Sequence, residues 1–229
     1  MEPVATLNNP KHRFPQLRRF VIISAAIVAS TVYVQFFMSS VVKGLELTNL
    51  FFYMDVWPTM LAASGYAGAY LISKLFRLGF VRKHLTFPSL FFAATVTWYW
   101  HIPVNSFFGY GVCPADLTNP LLYPLRRISY FLVGVALFLS VRNISKPWRE
   151  ALAIAAGKIM GWYGLYLTLV DKPIYVAPPV IFSVNLHHQA GFAMLLAMIF
   201  LDFIAVTSLV NHYFKDRKTQ PYPLMTEKL

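Results

Sequence analysis

Residues 19–41 read RFVIISAAIVASTVYVQFFMSSV, a run of 23 residues whose only charge is the leading Arg19. As a helix rising 1.5 Å per residue it is about 35 Å long, enough to cross the roughly 30 Å hydrocarbon core of a bilayer. Five more runs of this kind follow, at 52–74, 86–108, 121–141, 150–170 and 189–212. They predict an all-α, polytopic integral membrane protein with six transmembrane helices.

Lysine and arginine are concentrated in alternate connections. Four precede the first run (Lys11, Arg13, Arg18, Arg19), one follows it (Lys43), and four follow the second (Lys74, Arg77, Arg82, Lys83). Then come two (Arg126, Arg127), three (Arg142, Lys146, Arg149), one (Lys172) and four in the tail (Lys215, Arg217, Lys218, Lys228). By the positive-inside rule the N and C termini and two connections are cytoplasmic, and the other three connections lie outside. The expected division is a cytoplasmic segment 1–18, a six-helix domain 19–212 and a cytoplasmic tail 213–229.

Hydrophobic residues make up 57% of the chain and charged residues 13%, against about 25% charged in a soluble domain, which leaves no stretch for a separate soluble domain. The net charge of +11 does not indicate a nucleic-acid partner, because the basic residues sit beside helix ends, where they meet anionic headgroups. The first apolar run is too long for a signal peptide and lacks a small-residue cleavage site, so it is expected to be retained in a chain used at full length. A single cysteine, Cys113, excludes an internal disulfide, a Cys-x-x-Cys redox pair and a thiolate cage.

The outer connections are rich in Pro, Tyr, Asn and His. The third runs from Phe107 to Pro124 through Gly109, Gly111, Cys113, Pro114, Asp116, Asn119, Pro120 and Tyr123, and its prolines predict a rigid, ordered lid. The fifth runs from Asp171 to His188 through Pro173, Pro178 and Pro179 and ends in His187-His188.

An ionisable group inside a bilayer costs roughly 2.5 to 3.5 kcal/mol on insertion scales, so Asp55, His101, Lys158 and Asp202 are candidate functional residues. Lys158 and Asp202 lie at similar depths and are expected to form an intramembrane ion pair, either joining adjacent helices or serving a proton or ion pathway. Asp55, His101, Asp116, His187 and His188 give the outer half imidazole and carboxylate groups, which suit copper, zinc or iron. Each also has a structural reading, as an interior hydrogen-bonded group or a residue at the water boundary. Trp98, Tyr99, Trp100, Trp162, Tyr163 and Tyr166 fit interface belts and helix packing. There are no histidine boxes, no Gly-x-Ser-x-Gly or HExxH motif and no glycine-rich phosphate loop. No residue is assigned a catalytic role.

Phe52-Tyr53-Met54-Asp55-Val56-Trp57 resembles the segment opening the second span of the A subunit of the copper membrane monooxygenases, the ammonia and methane monooxygenase family, especially its archaeal branch. In order, a Tyr/Trp-rich helix leads to Cys113-Pro114-Ala115-Asp116, then Leu122-Tyr123-Pro124, a short basic connection Arg142 to Arg149, and Leu169-Val170-Asp171-Lys172-Pro173 before a proline-rich outer loop. The correspondence runs over residues 25–212, with Tyr53, Asp55, Trp57, Asp116 and Asp171 as the matching positions. The sequence departs from the family in lacking the bacterial Gly-Glu-Trp element and in placing Arg126-Arg127 at apolar positions.

The resemblance implies a subunit of a multi-subunit complex, repeated around a threefold axis with other integral membrane subunits. Such a complex oxidises ammonia or a small hydrocarbon with O2, using copper held mainly by the partner subunits. The alternatives from other classes are a stand-alone transporter or channel for a small solute, motivated by Lys158, Asp202 and the glycines Gly157, Gly161 and Gly164, and an accessory subunit of a respiratory or photosynthetic membrane complex.

Overall fold

The computed structural model describes residues 13–76, 83–102, 113–177 and 179–219. Among these residues the chain forms seven α-helices and one two-stranded hairpin. The helices are α1 (Arg13–Phe37), α2 (Ser39–Thr48), α3 (Trp57–Leu75), α4 (Thr86–His101), α5 (Leu122–Val141), α6 (Lys146–Leu169) and α7 (Val184–Thr219). Strands β1 (Val176–Ala177) and β2 (Val180–Ile181) pair antiparallel, with Val176 opposite Ile181. Lys11, Arg77, Arg82 and Lys228 of the charge pattern, the third predicted run beyond Ile102, Gly109 and Gly111, and Pro178 lie outside the described residues.

Among the described residues, four helical stretches are long and apolar enough to cross a membrane: Arg19–Phe37, Leu122–Val141, Lys146–Leu169 and Val184–Phe214. Of the other two predicted runs, the described residues are helical but fall short of that standard. α3 is diluted by Ser64, Gly65, Tyr66, Gly68, Tyr70 and Ser73, and the 16 residues of α4 reach about 24 Å. Only 6% of the apolar stretch of α1 and 11% of that of α7 is buried, so both helices present apolar side chains over most of their surface.

One correction to the sequence reading concerns charge. Arg126 and Arg127 are not connection residues marking a membrane side, since they lie within α5 and are 4% and 8% exposed. The stretch between the first two predicted runs carries the ten-residue helix α2 with a buried Glu46. Buried carboxylates and guanidiniums persist inside a fold when they pair, and these three do, Arg127 with Glu46 and Arg126 with Asp116.

The chain divides into two compact units, one holding residues up to Asn143 together with Lys172–Ser183, the other Ile144–Asp171 and Val184 onward. In the first unit Asn49 starts the run leading into α3. Its backbone is extended and its side-chain Oδ1 accepts the Phe52 N–H at 2.9 Å, as an N-cap does. Phe52–Val56 then form a single π-helical turn, a feature that shifts the side-chain register of the run and is common at functional sites.

Asn119 and Pro120 start α5 in the same fashion. Asn119 Oδ1 accepts the N–H of Leu121 (2.9 Å) and of Leu122 (3.1 Å), and Pro120 occupies a position where a missing N–H costs nothing. α3 and α5 touch backbone to backbone, for a Cβ on Gly65 would fall 1.9 Å from the Phe131 carbonyl oxygen and one on Gly134 1.8 Å from that of Ala62. Val42, Trp57, Leu61, Trp100 and Tyr130 form the core beside this crossing.

In the second unit α6 and α7 pack along small residues. A Cβ on Gly191 would fall 2.5 Å from the Gly164 carbonyl oxygen, so the two helices lie closer than any larger side chain permits.

Candidate functional site

The sequence brings six polar side chains of the first unit to one buried place. Arg126 donates to Asp116 Oδ2 at 3.1 Å and to the Tyr53 carbonyl, and its guanidinium lies 3.7 Å over the centre of the Tyr53 ring. The Tyr53 hydroxyl donates to Asp116 Oδ1. The next residue, Arg127, repeats the pattern. It donates to Glu46 Oε2 at 2.8 Å, lies 3.7 Å over the Tyr123 ring, and shares Glu46 with the Tyr123 hydroxyl at 3.0 Å.

Each arginine therefore has a carboxylate and a tyrosine, with that tyrosine bonded to the same carboxylate. Successive helix residues point about 100° apart, which is why neighbours in the chain serve two separate triads. Guanidinium suits this role because its planar fork bonds a carboxylate while its face stacks on an aromatic ring. Trp57 adds its ring 6.0 Å from Arg127.

Burial sets the electrostatics. It raises the Asp116 carboxyl above its ordinary range, against the opposing pull of Arg126 and then of the Tyr53 hydrogen bond. Burial raises Glu46 likewise, against Arg127 and then Arg126. Cys113, fully enclosed beside Asp116, is raised by burial first and by that carboxylate second, so its thiol stays protonated.

The hairpin segment closes the cluster. Phe182 stacks on Tyr53 with centroids 5.8 Å apart, and the Tyr175 hydroxyl donates to the His101 carbonyl at 2.9 Å. Tyr175 and Phe182 are fully buried. The Cys113–Pro114 peptide is cis, and the Cys113 N–H donates to the Ile102 carbonyl at 3.2 Å.

The residues singled out from sequence are distributed as follows. Tyr53 and Asp116 are in contact, and Asp55, on the same π-helical turn as Tyr53, is within electrostatic reach of Arg126 with a buried Oδ2 that has no hydrogen-bond partner. His101 Nδ1 sits 2.6 Å from the Thr97 carbonyl and 3.5 Å from the Tyr130 hydroxyl. Asp171, His187 and His188 belong to the second unit, where His188 Nε2 is 2.9 Å from the Val170 carbonyl and His187 is fully buried rather than at a water boundary. Lys158 and Asp202 form an ion pair between α6 and α7. Glu46, Arg126 and Arg127 are the functional candidates that sequence reasoning passed over. The available signal was a double arginine inside an apolar run, three residues after Tyr123.

Among the described residues no three His, Cys, Asp or Glu side chains gather closely enough to hold a metal ion. Both oxygens of Asp116 are already engaged by Tyr53 and Arg126, and the Nδ1 of His101 and the Nε2 of His188 face backbone carbonyls. A guanidinium beside the carboxylates further opposes a cation there. Asp116, held in this way, does not fit a copper centre. No protein-family model, curated protein or solved structure matches this chain.

Proposed function

We infer that the chain is a multi-pass integral subunit of a larger membrane enzyme, with six transmembrane helices and both termini in the cytoplasm. Its place is the cell or organelle inner membrane. The complex in this reading is a copper-dependent monooxygenase that oxidises ammonia or a small hydrocarbon with O2. Copper belongs to the partner subunits, and this chain is the scaffold that holds them.

The observation that carries this reading is the convergence of the family-like positions. Tyr53 and Asp116 share a hydrogen bond, Asp55 is within reach of Arg126, and Trp57 lies under Arg127. Four of the five positions quoted for the resemblance, all but the exposed Asp171, thus lie around Arg126 and Arg127, the two residues that depart from the family's pattern. The apolar exposure of α1 and α7 adds support, because such faces require lipid or another subunit against them.

Gentle isolation from the native membrane, with metal content and co-purifying polypeptides measured on one sample, tests the reading. Copper with two stoichiometric partner chains is the expected result. A metal-free homo-oligomer of this chain overturns it.

A transporter or channel for a small solute is the second reading, favoured by the Lys158–Asp202 pair and by the buried, unpartnered Oδ1 of Asp202 beside Gly157. Flux through liposomes holding this chain alone, abolished by Asp202→Asn, would establish it. Absence of flux removes it.

A further inference from the structure

The second unit carries a groove of about 390 Å³ between α6 and α7. Ala153, Leu201, Ile204 and Ala205 form its floor, and Lys146 and Arg149 stand at its mouth. Both cations belong to the first turn of α6, where Arg149 is exposed and the Lys146 side chain is 46% exposed.

The mouth is positive after its internal pairing is counted. Glu150 is the carboxylate in the groove lining, lying 3.8 Å from Lys146 while it accepts the Ser208 hydroxyl. One carboxylate faces two cations. The start of α6 adds the positive end of its helix dipole, and Ser145 supplies no side-chain cap there. Trp148, 68% exposed in the same turn, is the residue type that settles at headgroup level.

An apolar channel running along two helices, with a cationic head at one end, complements an amphiphile that has an anionic head and a hydrocarbon tail. We propose that this groove binds an anionic phospholipid, its phosphate between Lys146 and Arg149 and an acyl chain along the Ala153–Ala205 floor. A zwitterionic lipid lacks the net charge to match the mouth, and free phosphate lacks the tail to cover the floor. The proposal rests on the membrane reading of the chain and is independent of copper.

Native mass spectrometry of the full-length chain in neutral detergent, with added dioleoylphosphatidylglycerol, dioleoylphosphatidylcholine or inorganic phosphate, tests it. The expected result is retention of one phosphatidylglycerol about tenfold over phosphatidylcholine, with no phosphate adduct. Lys146→Gln combined with Arg149→Gln removes that preference, Arg142→Gln keeps it, and Ala153→Phe weakens both lipids by filling the floor. Circular dichroism checks that each variant keeps its helices. Equal retention of the two lipids, a preference that survives the double variant, or phosphate binding as well as lipid overturns the proposal. Release of the chain from membranes by alkaline carbonate instead overturns the membrane reading beneath it.

Discussion

Tyr53 and Asp116, 63 residues apart in sequence, are joined by a hydrogen bond between two fully buried side chains, with Arg126 bonded to one and stacked on the other. The three side chains fix the π-helical turn, the loop before α5 and α5 itself against one another. Removing one member leaves buried charge uncompensated, whereas removing both members of an ion pair does not. Arg126→Met and Asp116→Asn should therefore each lower stability by about 3 to 5 kcal/mol, and the double variant by clearly less than the sum. A double-mutant cycle from denaturant titration in micelles measures this, and additive losses would show that the pair is not coupled.

The neighbouring triad gives an internal comparison. Tyr123→Phe keeps the ring under Arg127 and deletes only the hydroxyl that reaches Glu46. Glu46 retains its bond to Arg127, so the loss should be about 1 to 2 kcal/mol, well below that of Arg127→Met. Thermal unfolding of both variants side by side checks the order, and a larger loss for Tyr123→Phe contradicts it.

Cys113 gives a chemical probe of the same region. Its thiol is fully buried and held protonated by its surroundings, so neither access nor thiolate is available. Maleimide at pH 8 should leave the folded protein unlabelled and label one site after denaturation. Asp116→Asn, by loosening the enclosure, should raise the labelling rate of the folded protein. Rapid labelling of the unaltered folded chain would contradict this burial.

Helical content was legible because each apolar run is long enough that no strand fits it. α1, α5, α6 and α7 carry that signal in length and composition alone. The site was legible only in part, and the reason is physical. Local patterning reports which residues enter apolar surroundings, but not which distant residues meet there. Asp116 and Tyr53 stood out one by one, yet their contact depends on the path of the chain between them. Arg126 and Arg127 were misplaced because a positive-inside count treats every arginine as a marker of a membrane face, and a buried arginine with its own carboxylate is no such marker. Glu46 was passed over because α2 is only ten residues long, too short to register as an apolar run.

The backbone contact of α3 with α5 makes glycine obligatory at one place and optional at another. A methyl at Gly65 would stand 1.9 Å from the Phe131 carbonyl oxygen, an atom that moves only if a helix moves. Around Gly44 in α2 nothing lies within 4 Å of the same added methyl. Gly65→Ala should cost at least 1 to 3 kcal/mol, roughly the range for an overpacked core, while Gly44→Ala should be neutral or slightly stabilising through helix propensity. Melting curves of the two variants decide it, and equal effects would mean that the helices do not cross at Gly65.

The histidine and carboxylate groups of this chain, finally, bear on where copper resides in the proposed complex. His101 Nδ1 and His188 Nε2 face backbone carbonyls, and Asp116 is held on both oxygens by Tyr53 and Arg126. If this chain is scaffold, His101→Gln and His188→Gln should leave the copper content of the isolated complex unchanged. Arg126→Met, in contrast, should reduce recovery of the whole complex by loosening the first unit without changing copper per assembled complex. Metal analysis normalised to partner subunits separates the two effects. A stoichiometric fall in copper on His101→Gln would place a ligand in this chain and overturn the scaffold assignment.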